Sequence, residues 1–171
     1  MSTPVLHLLA GPNGAGKSTF AERVLVPSMG LPFVNADVIA ARDWPGQESE
    51  HAYDASRGAA LERTALLAER TSFITETVFS HESKVDLIRT AVRHGYLVHL
   101  HVILVPVELS VARVAERVRR GGHIVPVDKI RQRHGRLWAL VVLASRDADR
   151  ATYYDNSLAS RPFREVARLE G

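Results

Sequence analysis

Residues 11–19 read Gly11-Pro12-Asn13-Gly14-Ala15-Gly16-Lys17-Ser18-Thr19. Phosphates need many N–H donors aimed inward, and only a glycine-rich turn lets successive backbone amides approach an anion without side chains intervening. Gly11, Gly14 and Gly16 meet that need. A helix starting near Lys17 adds its free N–H groups and the positive end of its dipole. In such a loop the lysine reaches the β- and γ-phosphates, and the hydroxyl of Ser18 faces a magnesium ion. With glycine at about 7% of residues, the four fixed positions coincide by chance in under about one per cent of chains of this length. The segment therefore predicts a phosphate-binding loop for ATP or GTP with Mg2+, with residues 11–19 as its contacts.

Binding a nucleotide does not say what is done with it, so a group able to take a proton from an attacking hydroxyl is the next requirement. Asp37 lies twenty residues past Lys17 at the end of an apolar run. It reads either as a general base or as a cap for the following helix, and one residue can do both. Glu76 and Thr77 end a third apolar run and present a carboxylate and a hydroxyl suited to holding an acceptor. A helix cap or a buried satisfied pair is the competing reading. Ser80, His81 and Lys84 just beyond are further candidates for the acceptor pocket, against the alternative of a solvated helix start.

Seven arginines stand between Arg113 and Arg136, interrupted by Gly121-Gly122 and His123. Arginines brought in by a closing flap neutralise the charge that spreads over a moving phosphoryl group. Arg117 and Arg120 flank the glycines and are the first choices for catalysis, with Arg113 and Arg131 in reserve and His123 in the hinge. Most of the seven also fit a solvated helix face. No aromatic residue interleaves with them, which argues against a groove for single-stranded nucleic acid.

The elements that must position these groups follow from periodicity. Residues 5–10 predict a strand, 18–26 a helix closed by Pro27, 31–34 a second strand, and 49–70 a long alanine-rich helix after a short one from Val38. A third strand over 72–75 leads into Glu76-Thr77. Then come a helix over 80–94 with Ser80 as its N-cap, a strand over 96–105, a helix over 108–120, a helix opened by Pro126 and running through Trp138, and a last strand over 151–154. His99 and His101 alternate along the fourth strand and are expected to pack in the sheet. None of the eight histidines is spaced for a metal. Strands alternating with helices predict an α/β fold, a mostly parallel sheet flanked by helices in three layers with a helical lid. The phosphate loop, Asp37, Glu76 and Asn156 should then share the C-terminal edge of the sheet, where ligands gather.

The chain has 171 residues, 46% of them hydrophobic, which suits one domain over 1–171 with a substantial core. It has no cysteine, which excludes disulfides, thiol nucleophiles and thiolate metal sites. No apolar stretch nears the roughly 20 residues of a membrane helix, and residues 5–10 lack the basic leader of a secretory signal. A cytoplasmic location is the expectation. The net charge of +3 is weak evidence for nucleic-acid binding.

Taken together, residues 11–19 (GPNGAGKST), 35–37 (NAD), 73–80 (FITETVFS), 121–126 (GGHIVP) and 154–157 (YDNS) resemble the zeta-toxin-like P-loop kinases, in the order of that family. The resemblance implies ATP-dependent phosphorylation of a UDP-N-acetyl sugar, with UDP-N-acetylglucosamine the acceptor of the characterised toxins. By position it implies Lys17 as the P-loop lysine, Asp37 as base, Glu76 and Thr77 as acceptor contacts, and an antitoxin protein as partner. The lid is shorter than in the toxins, and one of their two lid arginines falls near His123. A kinase for another metabolite, a nucleoside or an antibiotic, and an ATP-binding regulatory module, are the alternatives.

Overall fold

A computed structural model describes residues 2–122 and 124–171; His123 lies outside the described residues. The chain builds one six-stranded sheet in the order β2-β3-β1-β4-β5-β6. The strands are β1 (Val5–Ala10), β2 (Phe33–Val34), β3 (Phe73–Thr77), β4 (Leu97–Leu104), β5 (Arg150–Asp155) and β6 (Arg164–Glu170). The first five pair in parallel, and β6 returns antiparallel to β5. After β1 the chain crosses to one side to lay down β2 and β3, then to the other for β4. The loop following β1 therefore opens at the point where strand order reverses.

Alternation along the strands sorts side chains into two cores. Leu6, Leu8, Ala10, Phe73, Val98, Leu100, Val102 and Ala151 meet α3 (Ala36–Asp43), α4 (Ala52–Ala68), α5 (Ser83–Arg93) and α7 (Val127–Asp147) on one face. On the other, Leu9, Ile74 and Ile103 pack with Phe20, Ala21 and Leu25 from the helical segment after the phosphate loop, and Leu109 of α6 (Val107–Arg119) joins them. The α/β architecture with a mostly parallel sheet agrees with the periodicity. No helix among the described residues is long and apolar enough to cross a membrane.

Several expected boundaries move, each for a local reason. Pro27 does not close the second element. Helix α1 (Lys17–Phe20) passes through a π-helical turn, Ala21–Leu25, into α2 (Val26–Met29), with Pro27 in its first turn. The Val26 N–H bonds the Ala21 carbonyl five residues back, and the proline, which has no N–H, follows that widened turn in the first turn of α2. Gly30, at φ 65°, ends the helix instead. Ser80 is not a helix cap: α5 begins at Ser83, whose N–H donates to His81 Nδ1 at 3.2 Å. Pro126 is the N-cap of α7 rather than its first residue, and α4 starts at Ala52. Strand β6 was not expected at all, because all seven of its residues are exposed and carry no alternation of burial.

His99 and His101 do pack on the sheet, with His7 of β1 beside them. His7 Nδ1 and His101 Nε2 are 3.1 Å apart with their rings stacked, and both residues are buried. Burial, reinforced by His99 at His7 and by His7 and His99 at His101, lowers the pKa of His7 to about 4 and of His101 to about 3. In the unfolded chain both protonate near pH 6.5, so the unfolded state binds more protons as the pH drops through that value. The stability is therefore whole above about pH 6.5 and is lost as the pH falls toward 4 and below. Each ring contributes up to about 1.4 kcal/mol per pH unit in that window. Denaturant unfolding at pH 7 and pH 4.5 should show this fall, and the His7→Gln/His101→Gln variant should flatten it. An unchanged slope in the variant would assign the acid sensitivity to other groups.

Candidate active site

The phosphate loop spans the turn between β1 and α1, and its shape is imposed from outside. Gly14 and Gly16 take φ of 71° and 96°, a region that costs side chains free energy. At Gly16 a Cβ would also lie 2.7 Å from Asn156 Nδ2, so any other residue would push the loop off its support. That support is Asn156, at the tip of β5. Its Nδ2 donates to the Ala15 carbonyl at 2.8 Å, and its own carbonyl accepts from Arg113 Nη2 at 2.9 Å. Arg113 Nη1 lies 3.4 Å from the Gly14 carbonyl. Phe163, just before β6, donates its N–H to Asn156 Oδ1 at 3.4 Å and sets its ring 5.1 Å from that of Phe20. One asparagine thus ties the loop to β5, to α6 and to the turn into β6.

Lys17 is 7% exposed, and its Nζ donates to the Gly11 and Pro12 carbonyls at 3.1 Å each, folded back over the loop that it would leave for a phosphate. Burial draws its pKa down, Glu76 and Asp37 oppose that, and Arg117 adds to it. Ser18 Oγ donates to Glu76 Oε1 at 3.1 Å. Glu76 Oε2 is buried with no hydrogen-bond partner among the described residues. Burial raises the Glu76 pKa, against the pull of Lys17 and Ser18. A shielded carboxylate oxygen left over beside a serine hydroxyl is a hard oxygen pair of the kind Mg2+ takes. Glu76, read from the sequence only as an acceptor contact, thus lies against the loop itself.

Asp37 and Glu76 line one pocket of about 210 Å³, together with Asn35, Thr77, Arg63 and Lys84. The helix cap that competed for Asp37 is taken by its neighbour: Asn35 Oδ1 accepts the Asp37 N–H at 2.7 Å. The Asp37 carboxylate, in the first turn of α3, is exposed and free of that duty. Of the weaker acceptor candidates only Lys84 lines the pocket, while His81 serves the start of α5 and Ser80 lies outside. Arg63, on α4, was missed, since nothing in an alanine-rich helix marks which of its charges faces a cleft.

The arginines after residue 112 separate by partner. Arg113 holds the phosphate loop. Arg120 is exposed and bonded to Glu116 at 2.9 Å, and Arg131 is exposed and bonded to Glu108 at 2.6 Å. Arg117 is exposed and acts electrostatically on Lys17. Among the phosphate-loop residues Thr19 is exposed, one position beyond Ser18.

A glycine-rich loop at a strand-order reversal, with a buried lysine and a serine facing a shielded carboxylate, is the phosphate site of a nucleotide-binding domain. Residues 6–139, from β1 into α7, match the model of a family described as AAA domain. The chain belongs to the AAA domain family. This AAA domain is 30% identical over 125 residues to a protein of Haemophilus influenzae described as uncharacterized, covering 72% of this chain and 88% of that one. Among solved structures it is similar to a chain of the PezAT chromosomal toxin–antitoxin system of Streptococcus pneumoniae. That match has TM-score 0.73 and 20% identity, covering 98% of this chain and 72% of that one. It is also similar to a gluconokinase from Sinorhizobium meliloti 1021, with TM-score 0.59 and 18% identity, covering 95% and 87%. The AAA domain thus has a kinase-like P-loop fold.

Removing the Asn156 side chain by Asn156→Ala should leave the Ala15 carbonyl unpaired and cost about 1–3 kcal/mol. Denaturant unfolding should register that loss, and titration should register weaker nucleotide binding. Wild-type values for both would mean that the loop holds its shape unaided.

Proposed function

We propose that the chain is an ATP-dependent small-molecule kinase that transfers the γ-phosphoryl group to an acceptor hydroxyl. The observation that carries this reading is the pocket that joins Asp37 and Thr77 to Glu76, because Glu76 also bonds the P-loop serine. An acceptor lodged there would meet the nucleotide end-on.

In this reading the backbone amides of residues 11–19 and the amino end of α1 hold the phosphates, and Lys17 leaves the Gly11 and Pro12 carbonyls to follow the β- and γ-oxygens. Asp37 accepts the proton of the acceptor hydroxyl as its oxygen bonds the γ-phosphorus, and the bond to the β-phosphate oxygen breaks to release ADP. Ser18 and Glu76 would hold Mg2+, which would supply charge neutralisation at the β- and γ-phosphates. Arg117 is the favoured lid arginine, since Arg120 is engaged by Glu116. Arg113 is better suited to positioning the loop than to following the phosphoryl group. Thr77 offers a hydroxyl to the acceptor.

The sequence resemblance favours a UDP-N-acetyl sugar as acceptor, and the likeness to a PezAT chain supports a toxin with an antitoxin partner. The likeness to a gluconokinase supports a smaller hydroxylated metabolite within the same chemistry.

Asp37→Asn should lower acceptor-dependent ADP release by about 10²–10⁴-fold while leaving ATP affinity intact. Full turnover in that variant would remove Asp37 from the chemistry. Glu76→Gln should raise the Mg2+ concentration needed for ATP binding, read by nucleotide titration across a Mg2+ series. Arg117→Ala should reduce kcat by about 10²-fold or more with little change in KM for ATP, whereas Arg120→Ala should stay near wild type. The reverse order would move the catalytic arginine to the end of α6.

A further inference from the structure

A second cavity, of about 380 Å³, lies between α4 and α5 and is lined by Thr64, Leu67, Ser83 and Thr90 among others. Arg63 and Lys84 line both this cavity and the pocket that holds Asp37 and Glu76. The two hollows therefore meet at a neck made of two cations, one from each helix.

Among the described residues neither cation has a hydrogen-bonded counter-charge. The carboxylate acting on Arg63 is its chain neighbour Glu62, at Coulombic range only, and the charge acting on Lys84 is Arg63 itself. Asp86, on the wall of the second cavity, is drawn toward Arg89, 3.5 Å away. Both Arg63 and Lys84 are half-buried, and burial pulls each pKa below its usual range. Desolvated like charges that face each other across a cavity cost free energy unless an anion sits between them.

The geometry points to an anionic acceptor: a hydroxyl compound whose phosphate or carboxylate group is seated between Arg63 and Lys84. Its hydroxyl reaches Asp37, and any further substituent extends into the cavity between α4 and α5. A guanidinium fork and an ammonium converging from two helices suit the oxygens of such a group. This assignment rests on the kinase reading for the role of the hydroxyl, but the anion seat makes a binding claim of its own.

The test uses the full chain saturated with a non-hydrolysable ATP analogue and Mg2+, so that the phosphate loop is filled. Binding is measured by calorimetric titration for matched probes: glucose against glucose 6-phosphate, N-acetylglucosamine against UDP-N-acetylglucosamine, and gluconate as the carboxylate arm. The anionic member of at least one pair should bind and its neutral partner should not. Arg63→Gln and Lys84→Gln should each weaken that binding about tenfold, with the affinity for the ATP analogue unchanged and the unfolding midpoint no lower than that of the wild type. Arg63→Lys should recover part of the loss. Equal binding of neutral and charged probes, no binding of any anionic probe, or wild-type affinity in both Gln variants would overturn the anion seat. Charge-dependent binding without ADP release when ATP replaces the analogue would keep the anion seat and overturn the kinase reading instead. With Asp37→Asn, binding should persist while turnover is lost.

Discussion

A buried lysine beside a half-buried carboxylate with one shielded oxygen is the constraint around which this molecule is arranged. Lys17 and Glu76 both lie where water is scarce, and each loses part of its charge preference to burial. Such a pair survives only if the backbone brings the two together and other polar atoms complete their shells. The parallel ladder does the first, setting Glu76 opposite Leu9 and Thr77 opposite Ala10, the last residues before the loop. The Gly11 and Pro12 carbonyls and the Ser18 hydroxyl do the second. Glu76 Oε2 has no hydrogen-bond partner among the described residues, which suits a cation at the phosphate site.

From that contact the two sides of the cleft follow separately. On the nucleotide side, Asn156 and Arg113 fix the loop by bonding to its carbonyls rather than to the N–H groups that an anion needs. On the other side, Asn35 takes over the capping of α3, and the exposed Asp37 carboxylate lines the pocket. Two adjacent residues of similar chemistry divide the work between local structure and reactivity. The helices that follow contribute Arg63 and Lys84, whose positive charge contrasts with the carboxylates of Asp37 and Glu76 in the same pocket. The cleft therefore carries both signs of charge, and its two cations are shared with the second cavity between α4 and α5.

The P-loop was legible because glycine at fixed intervals before Lys17-Ser18 serves a backbone requirement that few other functions share. The strands β1, β3, β4 and β5 and the helices between them were legible because buried faces leave a period in the sequence. Strand β6 left none, being exposed along its whole length, and the π-turn before Pro27 concerns hydrogen-bond register rather than composition. The arginines formed one undifferentiated run in the sequence. Only their neighbours distinguish Arg113 on the loop carbonyl, Arg120 on Glu116 and Arg131 on Glu108 from Arg117.

By itself the sequence determined the phosphate loop, the α/β alternation and the approach of Asp37 and Glu76 to one edge, since each depends on local spacing or on strand parity. The tertiary structure decided what those residues touch. Glu76 meets Ser18, Asn156 meets Ala15, and Arg63 meets the same cavity as Asp37 across long stretches of chain. Contacts of that kind depend on strand order and helix placement, and no short-range pattern in the residues encodes them.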